Sequence, residues 1–222
     1  MKLLEIRDLT KTYSVRPPVP VLKGVNLDVE EGQKVLVAGR SGAGKSTLLN
    51  IIGLLDEPTS GEYVLQGEHV ESLSEAKRDK IRGDTLGFVF QDFHVLGHRS
   101  VRQNLELKLS ISHVPVSDRE ERINAVLDGV GLKRREHSLA RLLSGGEKQR
   151  LSLARAIICN PKIILADEPT GNLDSGNARV VLGLLNREAA RGVTVIVISH
   201  DLRLLRWADR SLELREGVLH EK

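Results

Sequence analysis

The chain has 222 residues, of which 40% are apolar and 3% aromatic, and a formal net charge of +3. That length suits one large α/β domain or two small lobes, with a core built mainly of Leu, Ile, Val and Ala. One cysteine excludes an internal disulfide, and no apolar run approaches the ~20 residues of a membrane span. Acids and bases interleave, as in Arg119-Glu120-Glu121-Arg122 and Lys133-Arg134-Arg135-Glu136, which suits solvated helix faces and leaves no nucleic acid expected as a partner. Met1-Lys2-Leu3-Leu4-Glu5 is not a leader pattern, so the expectation is a cytosolic protein whose membrane role needs a partner. Cys159 is expected as a small buried hydrophobe.

In chain order, residues 4–15 alternate apolar and polar and read as a strand. Arg16-Pro17-Pro18-Val19-Pro20 is a turn, and 21–29 reads as the returning strand of a small antiparallel layer. Lys34-Val35-Leu36-Val37-Ala38 reads as a buried strand and 47–55 as a helix. Between them, Gly39-Arg40-Ser41-Gly42-Ala43-Gly44-Lys45-Ser46 fits G-x-x-x-x-G-K-[ST], a loop whose glycines let backbone N–H groups turn inward around phosphates. Lys45 is then placed to reach the outer phosphates, and the Ser46 hydroxyl to ligate Mg²⁺. Strands are expected at 61–67 and 85–91; the second ends in Gln91, whose amide can ligate Mg²⁺ or orient water. Residues 100–156 read as mostly helical, with breaks at 113–115 and 143–146. Strands return at 162–166 and 193–199, with amphipathic helical patterns between and after them.

The strand at 162–166 runs into Asp167-Glu168. Beside a phosphate loop, Asp167 suits Mg²⁺ held through its water shell, and Glu168 suits polarising the water that attacks a γ-phosphate. His200 ends the strand at 193–199, where an imidazole can hydrogen-bond that phosphate and the attacking water. Leu143-Ser144-Gly145-Gly146-Glu147 precedes a helix and reads as a second anion-binding helix start. A nucleotide sandwiched between both elements needs a pair of chains. Leu54-Leu55-Asp56-Glu57-Pro58-Thr59 echoes Leu165-Ala166-Asp167-Glu168-Pro169-Thr170, but it follows a helix with no room for a strand. Its acids are expected to cap or leave that helix and face solvent. His94 and His98 have i, i+4 spacing without the acid of a zinc-protease motif.

Taken together, these motifs resemble an ATP-binding-cassette ATPase across essentially the whole chain. The phosphate loop, Gln91, the 143–147 element, Asp167-Glu168, the loop Asn172-Leu173-Asp174 and His200 stand in that family's order. The resemblance implies an α/β P-loop NTPase (RecA-like) core with an N-terminal antiparallel β layer and an inserted helical subdomain. It implies one domain over 1–222, with 1–91 and 157–222 as the nucleotide-binding core and 92–156 as the helical signature subdomain. It implies ATP and Mg²⁺ as cofactors, with Tyr13 stacking on adenine, residues 39–46 and Thr47 around the phosphates, and Ser46, Gln91 and Asp167 at the metal. Glu168, His200 and Gln91 are the expected catalytic groups. Ser144, Gly145, Gly146, Glu147 and Asp174 are expected to close over ATP held by a second copy. The other implied partner is a separate transmembrane permease, docked near residues 91–102, where Phe93, Val95, Leu96, His94 and His98 are expected at the surface.

Phe88-Val89-Phe90-Gln91, the run from Ala166 to Asp174, and Leu54-Leu55-Asp56 resemble one exporter group, which includes lipoprotein-release, macrolide, antimicrobial-peptide and haem-efflux ATPases. The end, with His200-Asp201-Leu202-Arg203 and Leu212-Glu213-Leu214, looks most like the haem-efflux members. Arg40 departs from the small or uncharged residue frequent at its position. Cassette ATPases of DNA repair carry coiled-coil or zinc insertions between the phosphate loop and the signature, and ribosome-binding ones carry two cassettes. GTPases carry Asn-Lys-x-Asp. None of these features occurs here.

Overall fold

The computed structural model describes residues 2–222. In chain order the elements are β1 (Lys2–Tyr13), β2 (Val19–Glu30), β3 (Lys34–Ala38), α1 (Lys45–Ile52), β4 (Ser60–Leu65), β5 (Glu68–His69), α2 (Glu75–Asp84), β6 (Leu86–Val89), α3 (Val101–Ile111), α4 (Val116–Gly129) and α5 (Gly145–Ile157). They continue with β7 (Ile163–Asp167), α6 (Ser175–Ala190), β8 (Thr194–Ile198), β9 (Arg210–Arg215) and β10 (Val218–Glu221).

β1 and β2 pair antiparallel as their alternation predicts, with Ile6 opposite Leu27, and β4 pairs on the other edge of β1 with Tyr63 opposite Ile6. The resulting four-stranded sheet has the order β2-β1-β4-β5. The second sheet has six strands in the order β10-β9-β3-β8-β7-β6. In it β6, β7, β8, β3 and β9 run parallel, and β10 turns back antiparallel at the edge.

β3, β7 and β8 are near-continuous apolar runs because the sheet is covered on both faces. Val35 and Val37 pack with α1 and the antiparallel layer, whereas Leu36 between them packs with α5 and α6. The same alternation places Ile163 and Leu165 on the first face and Ile164 and Ala166 on the second. Tyr63 joins the layers: its ring is fully buried and its hydroxyl donates to the Ile52 carbonyl at 2.8 Å. On the other face α5 lies directly on β6, so close that a Cβ on Gly87 would come within 2.5 Å of the Ala156 carbonyl oxygen. The helices α3, α4 and α5 occupy residues 101–157 and share the second core cluster.

The chain end differs from expectation. In place of an amphipathic helix after β8, residues 202–206 form a single 3₁₀ stretch, and β9 and β10 make a hairpin on the sheet edge. Leu212 and Leu214 alternate inward along β9, a strand period. α2 carries no buried residue and was not visible as an apolar pattern; Ser74 caps it, and Arg82 anchors it by donating to the Leu54 carbonyl at 2.6 Å. Cys159 is half-buried at the rim of the second cluster, not enclosed. Among the described residues, no helix is long and apolar enough to cross a membrane.

Candidate functional site

In a parallel sheet, chemistry collects where strands end. Here β3 runs into the phosphate-type loop, β7 ends at Asp167, β8 ends just before Ser199 and His200, and β6 ends two residues before Gln91. Because β3, β8, β7 and β6 are neighbours, their carboxyl ends share one edge. A cleft of about 710 Å³ opens there, lined by Val21, Arg40, Ser41, Gly42, Gly44, Lys45, Ser46, Thr47, Gln91, Asp167, Glu168 and His200.

The loop geometry suits an anion. α1 begins at Lys45 with Gly44 at its N-cap, φ 98°, and no side chain caps its first N–H groups. Nor does an acid stand in that first turn, so the positive end of α1 faces the cleft uncompensated. Gly44 has to be glycine: a Cβ would meet Val21 Cγ1 at 2.8 Å, and its backbone lies in the left-handed region. Lys45 Nζ donates to the carbonyl oxygens of Gly39 at 2.9 Å and Arg40 at 3.0 Å, which folds the cation over the loop. Gly39 and Ala43 are not among the residues that line the cleft, and Ala43 instead lines a second hollow shared with Glu213 and Arg215.

Ser46 Oγ donates to Asp167 Oδ2 at 3.0 Å, joining α1 to the end of β7. Burial raises the Asp167 carboxyl above its ordinary range; the Ser46 bond opposes this and the Glu168 charge adds to it. A hydroxyl and a carboxylate converging beside uncapped N–H groups are oxygen ligands of the kind a hard divalent cation takes, and a cation would relieve the cost of burying that carboxylate. Among the described residues no group of three or more His, Cys, Asp or Glu forms a metal cage.

Glu168 has φ 45°, outside the range comfortable for a side chain, and its N–H donates to the Ile198 carbonyl at 2.9 Å. This turns its buried carboxylate onto the end of β8. Ser199 Oγ donates to Oε2 at 2.6 Å, the His200 N–H donates to Oε1 at 3.0 Å, and His200 Nδ1 lies 2.7 Å from the same Oε1. The two groups expected from sequence as base and phosphate sensor are thus bonded to each other. Ser199, fully buried, was missed; its only signal was its place between an apolar strand and His200.

The 143–147 element stands elsewhere. Ser144 is the N-cap of α5: its Oγ accepts from the Glu147 N–H at 3.3 Å, while the Ser144 N–H donates to Glu147 Oε2 at 2.9 Å. Asp174 caps α6 through the Gly176 and Asn177 N–H groups and also accepts from Asn177 Nδ2 at 2.6 Å. The two helix starts touch, since a Cβ on Gly146 would fall 2.2 Å from Asn177 Oδ1. Ser144, Gly145, Gly146, Glu147 and Asp174 are all absent from the cleft lining.

Other expectations change in part. His94 and His98 are exposed, as expected, and lie outside any helix; His94 has φ 46° and packs on the Phe90 ring, 4.7 Å between centroids. Phe93, Val95 and Leu96 are half-buried and not freely exposed, because Val95 packs into the second core cluster and Asn104 bonds both backbone groups of Leu96. Glu57 does face solvent, but Asp56 turns inward and accepts from Lys11 Nζ at 2.6 Å and the Tyr13 hydroxyl at 2.9 Å. Tyr13 stands beside the cleft with its hydroxyl 3.5 Å from Thr47 Oγ1.

This architecture is that of an α/β ATP-binding cassette. The chain belongs to the ABC transporter family, whose pattern matches residues 22–171, and it carries that family's ATPase domain. It is 42% identical over 219 residues to the pyoverdine export ATP-binding/permease protein PvdT of Pseudomonas fluorescens, and 42% identical over 218 residues to the macrolide export ATP-binding/permease protein MacB of Bdellovibrio bacteriovorus. Each match covers 98% of this chain and 33% of the relative, so the chain spans about a third of the length of these relatives. A solved dimer of the ATP-binding cassette MJ0796, in a post-hydrolysis state bound to ADP and Pi, superposes with a TM-score of 0.90 at 36% identity, covering 98% of both chains.

Proposed function

We propose that this domain binds Mg²⁺–ATP in the cleft at the carboxyl edge of the parallel sheet and hydrolyses it, and that two copies close around two nucleotides to drive a membrane exporter. The observation that carries the reading is the division of the polar groups. Lys45, Ser46, Asp167, Glu168 and His200 meet in one cleft, while the capped helix start at Ser144 and the Asp174 turn lie outside it. A second copy would supply those two elements, and the dimeric MJ0796 cassette supports such a pairing.

In this reading the uncapped N–H groups of α1 and Lys45 bind the phosphates, and Tyr13 stacks on the base. Ser46 and Asp167 hold Mg²⁺, with Gln91 beside them; the cation would supply charge neutralisation on the phosphate oxygens. Glu168, oriented by Ser199 and His200, takes the proton of the attacking water, and His200 reads the outer phosphate. The segment 92–156 moves as an arm, and the loop at 91–102 meets a permease at the inner face of the membrane.

PvdT and MacB are named for pyoverdine and macrolide export, which supports an exporter of small molecules as the setting. Haem as the cargo is a finer proposal that rests on the run from His200 to Leu214 alone.

The composite site is tested with Ser144→Arg in a Glu168→Gln background. The added cation should leave nucleotide binding by each monomer intact and abolish ATP-dependent dimerisation measured by light scattering. Dimerisation that survives the change overturns the two-copy reading.

A further inference from the structure

Tyr13 is the last residue of β1, and more than a third of it is exposed. A ring at a strand end, followed by a bend, has rotamer freedom to lose when a planar ligand stacks on it. Here that freedom is already restricted. Lys11 and Tyr13 are two apart on one strand and therefore share a face. Lys11 Nζ sits 4.9 Å from the Tyr13 ring centroid and covers one side of it. The same ammonium donates to Asp56 Oδ1 and to the Glu57 carbonyl, both at 2.6 Å, and is almost buried in doing so. The other carboxylate oxygen, Asp56 Oδ2, takes the Tyr13 hydroxyl at 2.9 Å. That hydroxyl is also 3.5 Å from Thr47 Oγ1, and Thr47 lines the phosphate cleft.

We propose that Asp56, bridging Lys11 and Tyr13, is a positioning residue that fixes the Tyr13 ring as a one-sided platform for the nucleotide base. The proposal rests on the reading above that the cleft binds ATP with Tyr13 under its base. Asp56 occupies both ring-side donors with its two oxygens. The ring is then held at its hydroxyl end and capped by a cation on one face, while more than a third of the residue stays exposed. Because Thr47 follows Ser46 in α1, the hydroxyl contact also sets the span between the base platform and the phosphate loop. The carboxylate in the Leu54-Leu55-Asp56 run is therefore part of the nucleotide site's support, not a solvated helix exit.

The experiment measures binding of Mg²⁺–ATP and of Mg²⁺–tripolyphosphate, which has no base, by calorimetric titration to the same domain. Asp56→Ala leaves the Lys11 ammonium with the Glu57 carbonyl but no counter-charge and can disturb folding, so Tyr13→Phe, which removes only the hydroxyl, is the second variant. Each should weaken ATP roughly three- to tenfold, the loss of one charge-assisted hydrogen bond, and leave tripolyphosphate affinity unchanged. The double variant should be no weaker than the weaker single, because the Tyr13–Asp56 hydrogen bond is already absent in each. Equal losses for both ligands, unchanged ATP affinity in Tyr13→Phe, or additive losses each overturn the proposal. Two controls separate it from the reading beneath it. Lys45→Ala retaining tripolyphosphate overturns the nucleotide site, and Tyr13→Ala retaining full ATP affinity overturns the base platform.

Discussion

Gln149 Nε2 donates to the Pro169 carbonyl oxygen at 2.9 Å, tying α5, which Ser144 caps, to the turn immediately after Glu168. Both ends of the contact are buried, and the Gln149 Oε1 atom and the nearby-in-sequence Thr170 Oγ1 are buried without partners. A core amide that leaves its own oxygen unpaired is costly to stability, so its use lies in the connection it makes.

Gln149→Leu removes the bond and the orphan oxygen together. The change relieves the orphan oxygen but leaves the buried Pro169 carbonyl without its donor, so unfolding should be destabilised by about 1–3 kcal/mol. ATP affinity should hold, while kcat should fall about tenfold because the Glu168 turn loses its tether to α5. A large stability loss with kcat unchanged would mark Gln149 as packing alone.

Glu168→Gln keeps the shape of the side chain and can still meet Ser199, but it removes the proton acceptor. Turnover should drop by at least ~10²-fold while ATP binding persists, giving a trapped ATP-bound dimer. Steady-state phosphate release together with nucleotide titration checks both halves; hydrolysis within a few-fold of wild type removes Glu168 from the role of base.

Lys45→Ala takes away the cation that now lies on the Gly39 and Arg40 carbonyls. Only the uncapped N–H groups of α1 then remain to hold the phosphates, and Mg²⁺–ATP affinity should fall below detection in calorimetry. An undiminished affinity would move the nucleotide away from this loop.

A stability prediction concerns the helical arm. Glu136 is nearly buried and accepts from Lys133 at 2.7 Å and Arg102 at 2.6 Å, bonds that hold its carboxyl below the ordinary 4.5. A folded-state value below the unfolded one means the stabilisation is complete above pH 4.5 and is lost as pH falls through the lower folded value. Glu136→Gln should therefore cost about 1–3 kcal/mol at pH 7, and the gap from wild type should narrow below pH 4.5. Urea titrations across that range read the effect, and a gap independent of pH would refute it.

The local chemistry of the site was legible in the chain because each group lies where a period breaks. Gly39 to Ser46 interrupts the change from strand to helix, Asp167 and Glu168 end an apolar run, and Ser144 opens a helix. A short apolar run that ends in acids suits a strand buried on both faces, and in a parallel sheet the acids that end it lie at the carboxyl edge. α2 escaped because it has no apolar stripe, and the β9–β10 hairpin because its strand period rests on Leu212 and Leu214 alone, too short a run to stand out.

What residue types and spacings determined, then, was which groups stand at strand ends and helix starts. Which of them meet was decided by tertiary structure. The order β3-β8-β7-β6 brings Lys45, His200, Glu168 and Gln91 to one cleft although Lys45 and His200 stand 155 positions apart in the chain. The same packing turns Asp56 onto Tyr13, fastens Gln149 to Pro169, and keeps Ser144 out of the cleft. Such pairings depend on how sheet and helices stack, and no local period encodes a contact between residues whose separation along the chain exceeds the element that holds them.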